Sequence, residues 1–129
     1  MNLAMQVFIN YLTEKGYRYS ILSESRVEVQ IQNINIILTF GTSCRDVCIK
    51  TKISKIPHEK IENAYLLCSR LNTETWFISY YIDSENNLVA KIDAILTQPI
   101  IGQKCLFLVL SMFSLIDNFY PEIMKMIWS

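Results

Sequence analysis

IENAYLLCSRLNTETWFISYYIDSENNLVAKIDA, residues 61–94, changes its hydrophobic period partway along. Ile61, Ala64, Tyr65, Cys68 and Leu71 recur every three or four positions, the spacing of one helix face. Trp76, Ile78, Tyr80 and Ile82 then alternate with Phe77, Ser79 and Tyr81, the period of a half-buried strand. A helix ending at Asn72 is thus expected to lead into a strand, an acidic turn at 83–87 and a second strand carrying Leu88, Ala90, Ile92 and Ala94. With Ile82 opposite Leu88, Tyr80 meets Ala90 and Trp76 meets Ala94, large side chains against small.

The same switch of period occurs upstream. Leu3, Val7, Phe8, Tyr11 and Leu12 predict an amphipathic helix that stops at Gly16, a residue that accepts the left-handed conformation. Four alternating segments follow, centred on Tyr19, Val29, Ile36 and Ile49. A two-residue turn at Gln32-Asn33 sets Ile31 against Ile34, Val29 against Ile36 and Val27 against Leu38. Phe40 then faces Val47 across the next loop, Leu38 faces Ile49, and Ile21 faces Val27 across residues 23–25. Every apolar set lands on one face, and a one-residue slip would turn them all to water.

Pro57 suits the first turn of the second helix, where its missing N–H costs nothing. After Pro99 a helix over 101–120 is expected, apolar nearly all round. Pro121 is expected to break it and start a separate tail holding Met124, Met126, Ile127 and Trp128. These readings predict a single α+β domain over 1–129. An antiparallel sheet, a four-strand meander plus a hairpin, packs against helices in the order α-β-β-β-β-α-β-β-α.

Composition excludes several functions. With 12 basic and 12 acidic residues there is no net field to steer a nucleic acid. The N-terminal stretch lacks a basic segment and cleavage site of a signal peptide, which points to the cytoplasm. The longest uncharged run, between Lys104 and Asp117, is too short to span a bilayer, so no membrane span is expected. Four cysteines in such a chain read as free thiols.

No catalytic constellation emerges. Cys44 and Cys48 share a C-x3-C spacing, but tetrahedral zinc takes four ligands and the chain has one histidine, His58. Alternation also turns Cys48 to the face opposite Val47 and Ile49. Three glycines, Gly16, Gly41 and Gly102, make no phosphate-cradling loop, and no G-x-S-x-G occurs. The carboxylates Glu59, Glu62, Asp83 and Glu85 read as solvated or turn groups. No cofactor, metal or catalytic residue is expected.

The aromatics suggest a surface instead. Phe77 and Tyr81 point away from Trp76 and Tyr80, on a face shared with Ser79, Val89 and Lys91 that Ile37 could join. A shallow groove for a peptide segment is one reading, and an ordinary mixed outer face is the other. Met124, Ile127 and Trp128 offer a second apolar patch, methionine being adaptable at varied interfaces. An all-round apolar last helix calls for a partner, so a homodimer is expected through Phe107, Leu110, Phe113 and Ile116, with Tyr65 from the second helix.

Leu67 to Asn72, Trp76 to Ile82, Asp83 to Asn87 and Leu88 to Ile92 together resemble the bacterial YbjN family, whose fold is like that of the type III secretion chaperones. The helix–strand–acidic turn–strand order matches, as does the order of elements over the whole chain. The resemblance implies an α+β domain, often dimeric, that binds other proteins and supplies no catalytic residue to carry over. The expected function is a chaperone-like or regulatory binding domain of unknown client. An immunity-type or structural partner of one specific protein is the alternative, and a small enzyme using Cys68 or Cys105 a third.

Overall fold

A computed structural model describes residues 1–128. Six antiparallel strands form one sheet: β1 (Arg18–Ile21), β2 (Arg26–Ile31), β3 (Ile34–Phe40), β4 (Asp46–Lys55), β5 (Ser79–Ile82) and β6 (Asn87–Ile95). Their order in space is β1-β2-β3-β4-β6-β5, so the hairpin docks on the meander through β6. Three helices accompany them: α1 (Leu3–Lys15), α2 (Ile61–Glu74) and α3 (Ile101–Trp128). The fold is α+β in the expected order.

Each meander register follows from alternation. Val27 pairs Leu38, Val29 pairs Ile36, Phe40 pairs Val47 and Ile21 pairs Val27. The inner face carries Val29, Ile36, Leu38, Ile49 and Ile92, all buried in one core with the helices. β1 outruns this cover, and Ile21 is half in solvent.

Asn2 caps α1, its side-chain oxygen accepting from Met5 N at 3.1 Å while its Nδ2 donates to Gly41 O at 2.8 Å. Gly16 ends the helix at φ +80°, as the sequence implies. The buried face is Ala4, Met5, Phe8, Ile9 and Leu12, whereas Leu3 and Val7 of the expected stripe are exposed. This helix is apolar on two sides, and α3 fixes which side turns in: a Cβ on Gly102 would lie 2.8 Å from Tyr11 Cβ, so the two backbones are in close approach.

The helix–strand junction differs from the expected one. α2 continues to Glu74, and β5 begins only at Ser79, so Trp76 does not face Ala94, which pairs with Val47 of β4. Side-chain hydrogen bonds divert the chain. Thr75 Oγ1 lies within 3.0 Å of Leu71 O and 3.2 Å of Ile78 O, closing a loop. Asn72 then grips Tyr80 at both backbone groups, accepting from its N–H at 2.7 Å and donating to its C=O at 2.9 Å. Asn72 thus ties the edge strand to α2 rather than ending the helix. Further on, Tyr80–Ala90 and Ile82–Leu88 pair as alternation requires.

α3 departs most from expectation. It runs through Pro121 to Trp128, so there is no separate tail. Cys105, Val109, Met112, Ile116, Ile123 and Ile127 form one buried stripe across the proline. Burying Ile123 and Ile127 is worth about 1.5–3 kcal/mol each, which outweighs the cost of about 3 kcal/mol for an interior proline. The carbonyl four residues back, which loses its amide partner to the proline, belongs to Asp117 on the exposed side of the helix. At 28 residues α3 is also long and apolar enough to cross a membrane, so the length argument against a span fails. Its stripe is instead packed into the core.

Candidate functional site

The face of the sheet turned away from the helices follows from the same alternation. One row crosses it from Glu28 (β2) through Ile37 (β3) and Lys50 (β4) to Lys91 and Ser79 (β6 and β5). Val89 sits one step along β6, opposite Tyr81, and is only 3 % exposed although it faces outward. Ile37, Tyr81 and Val89 do share a cavity of about 800 Å³. Phe77 does not line it: it lies in the loop before β5, half exposed.

The cavity owes its depth to a fork. The β3–β4 ladder covers only Ile37–Phe40 against Val47–Lys50. Beyond it, residues 34–36 stay with β2 while residues 51–55 follow β6, with a register shift between Lys52 and Ser54. Thr51, the one polar residue buried among the described residues, bridges the opening, its Oγ1 donating to Asn35 O at 2.7 Å. Through this gap the cavity reaches Ile34, Ile53 and, on α3, Ile116 and Tyr120. At its rim, the Asp83 carboxylate accepts from the N–H groups of Asn87 and Glu85, which holds its pKa below the usual range.

The expected interaction residues scatter over several surfaces. Ile116, 1 % exposed, and Ile127 are core, because α3 continues and turns both inward; neither can meet a partner of this fold. Phe113 and Met124 are half-buried. Phe107, 67 % exposed, Leu110, Trp128 and Tyr65 remain in solvent; Tyr65 therefore leaves the buried stripe of α2, and Leu67 takes its place. Sequence reasoning missed Trp76, 97 % exposed, together with Leu66 and Ile95. The polar Asn72 and Thr75 around the junction were the signal that Trp76 leaves the sheet.

All four cysteines are free. Cys44 donates to Asn2 Oδ1 at 3.4 Å beside α1, whereas Cys48 lies on the outer face near Asp93, so the pair does not converge. Burial pushes the Cys68 thiol up to about 11 and that of Cys105 to about 12, leaving little thiolate at neutral pH. Burial and Asp93 raise Cys48 as well. Among the described residues no group of His, Cys, Asp and Glu is arranged to hold a metal.

Tyr80 is 2 % exposed and its hydroxyl has no hydrogen-bond partner; burial pushes its pKa up to about 12. Removing a buried, unsatisfied hydroxyl relieves its desolvation cost. Tyr80→Phe is therefore expected to stabilise the fold by about 1 kcal/mol, read by urea denaturation. A loss of stability would show that the hydroxyl has a partner in solution.

The architecture is thus an antiparallel sheet, forked on one face and backed by helices. The sequence matches the profile of YbjN, described as a putative bacterial sensory transduction regulator, over residues 6–123, and the chain belongs to that family. Among solved structures it is similar to YbjN from E. coli, described as a putative transcription regulator, with TM-score 0.67, 9 % identity and 89 % of each chain covered. A chain of the ExsC–ExsE complex matches with TM-score 0.58 and 8 % identity, covering 86 % of this chain and 87 % of that one. A chain of the heterodimeric ExoU–SpcU complex, from the type III secretion system of Pseudomonas aeruginosa, matches with TM-score 0.52 and 11 % identity over 71 % and 78 %. At these identities the likeness is one of fold. No curated protein matches the sequence.

Proposed function

We propose that this chain is a non-enzymatic, chaperone-like protein-binding domain acting in the cytoplasm, and that two copies associate through the outer side of α3. The observation that carries the reading is the display of large apolar side chains in solvent, Trp76 and Phe77 in the α2–β5 junction and Phe107 and Leu110 on α3. Large apolar side chains left in solvent mark sites where a partner can bind when they cluster. Aromatic anchors also dominate the energetics of protein interfaces. Two of the similar folds come from complexes of two proteins, which supports a protein partner here. The protonated thiols of Cys68 and Cys105 weigh against a cysteine enzyme.

Phe77 and Trp76 form the proposed client contact; Tyr81, Met124 and Trp128 are secondary candidates that the fold leaves at least partly accessible. A photo-crosslinking amino acid at position 76, in cells making the protein, should give one discrete adduct with a second polypeptide. The same probe at Gln30, exposed on β2, should not. Adducts of equal yield from both positions, or none from either, would sink the client contact. For self-association, sedimentation should show a dimer that Phe107→Ser with Leu110→Ser converts to monomer; a wild-type monomer at micromolar concentration would refute it.

A further inference from the structure

The two edges of the sheet are finished differently. At β5 the outward N–H and C=O of Tyr80 are both taken by Asn72, so this edge has little left to offer a further strand. At β1 no side chain does the same. Leu22 N–H donates to Arg26 O, which makes 22–26, 20–28 and 18–30 the hydrogen-bonded positions between β1 and β2. The backbone groups of Tyr19 and Ile21 therefore point away from β2, and none of them has a partner among the described residues.

This free row is short and bounded. Tyr17 N–H is used by Leu12 O at one end, and Leu22 N–H by Arg26 O at the other. β1 carries no lysine, proline or bulge, the usual devices that blunt an exposed edge. Ile21, 50 % exposed, and Leu22 are left in solvent beside it.

We propose that the β1 edge pairs with the β1 edge of a second copy of this chain, antiparallel about a two-fold axis at Ser20, joining two sheets into one. The free groups fix the register: Tyr19 meets Ile21 of the second copy on each side of the axis, and every unpaired group is then satisfied. An aromatic faces a β-branched side chain twice, a favourable cross-strand pair, and Ile21 gains the cover that α1 does not give it. Ser20 meets Ser20 and Arg18 meets Leu22, so no like charges are directly opposed. The flank of α1 beside β1, marked by the contact of the Thr13 and Tyr19 hydroxyls at 2.9 Å, carries the uncharged Gln6, Asn10 and Thr13, and two such flanks do not repel. A row of free groups symmetric about its own centre is matched by itself. Because Asn72 closes the other edge, the pairing stops at two copies. The surface is separate from the outer side of α3.

Ser20 gives the test, because only self-pairing brings that position against itself. The background is Phe107→Ser with Leu110→Ser, so the result does not depend on association through α3. A contact this small is expected to form at about 0.1–1 mM, and sedimentation equilibrium over that range should show reversible monomer–dimer exchange. Ser20→Asp and Ser20→Lys, at an exposed outward position, should each weaken it by about fivefold, the scale of one like-charge contact at a surface. An equimolar mixture of the two should associate at least as tightly as the background chain, a rescue that pairing with a foreign strand would not give. Amide exchange in the background chain should slow at Tyr19 and Ile21 as concentration rises and stay unchanged at Ser20, which keeps the proposal testable if a charge variant does not fold. A strict monomer up to about 1 mM, charge variants that associate like the background, a mixture no tighter than its parts, or exchange slowed only on α3 would each overturn it.

Discussion

Ile116→Ala is expected to cost about 2–5 kcal/mol of stability, the range for removing a branched aliphatic side chain from a packed core. Ile116 is 1 % exposed and lies on the buried stripe of α3, although composition alone makes it as good an interface residue as Phe107. Phe107→Ala, on the opposite side of the same helix, should change stability by no more than about 0.5 kcal/mol at concentrations where the protein is monomeric. Urea denaturation of the two variants at low concentration separates the roles. Equal losses would mean that α3 is rotated from the orientation described.

Alkaline conditions should unfold this protein early. The Cys68 thiol rises from its ordinary value of 9.0 to about 11, Cys105 from 9.0 to about 12, and the Tyr80 hydroxyl from 10.0 to about 12, each through burial. In every case the folded chain holds its proton to a higher pH than the unfolded chain does. Between the two values the unfolded state binds fewer protons, so stability falls as pH rises. The contribution is complete below pH 9 and is lost progressively up to about pH 12. Each tenfold difference in acidity is worth about 1.4 kcal/mol, so Cys105 alone withdraws roughly 4 kcal/mol over its range. That is a large part of the about 5–15 kcal/mol that holds a domain together. Equilibrium denaturation at pH 8 to 11 should show the loss, and Cys105→Ala should flatten the slope. A wild-type stability independent of pH up to 11 would refute it.

The sheet was legible because a period of two leaves little choice. Val27, Val29 and Ile31 must face Leu38, Ile36 and Ile34, or the whole set is in water. The junction at 72–78 was not, because Asn72 and Thr75 act through side-chain hydrogen bonds that apolar spacing does not record. Pro121 misled for a related reason: its local cost is real, but burial of Ile123 and Ile127 exceeds it. The two faces of α3 were indistinguishable beforehand, since Phe107 and Ile116 are equally apolar and only the packed neighbours tell them apart. The cleft was hidden most thoroughly. Lys50, Lys52 and Ile53 look like ordinary strand residues, and it is the parting of two ladders that brings them around one opening.

The near-contact of Gly102 with Tyr11 bears on how the molecule is made. Every strand pairing except β4–β6 joins neighbours in sequence and can form as the chain emerges, but α3 follows all six strands and docks on the first helix. Until α3 has been synthesised, the inner face carrying Val29, Leu38 and Ile49 lacks part of its cover. A nascent chain of this protein therefore passes through a sticky stage, in which it is itself a candidate for assistance. Stalling translation after β6 should leave a chain that aggregates or recruits a holdase, and extending it through Ile127 should release it.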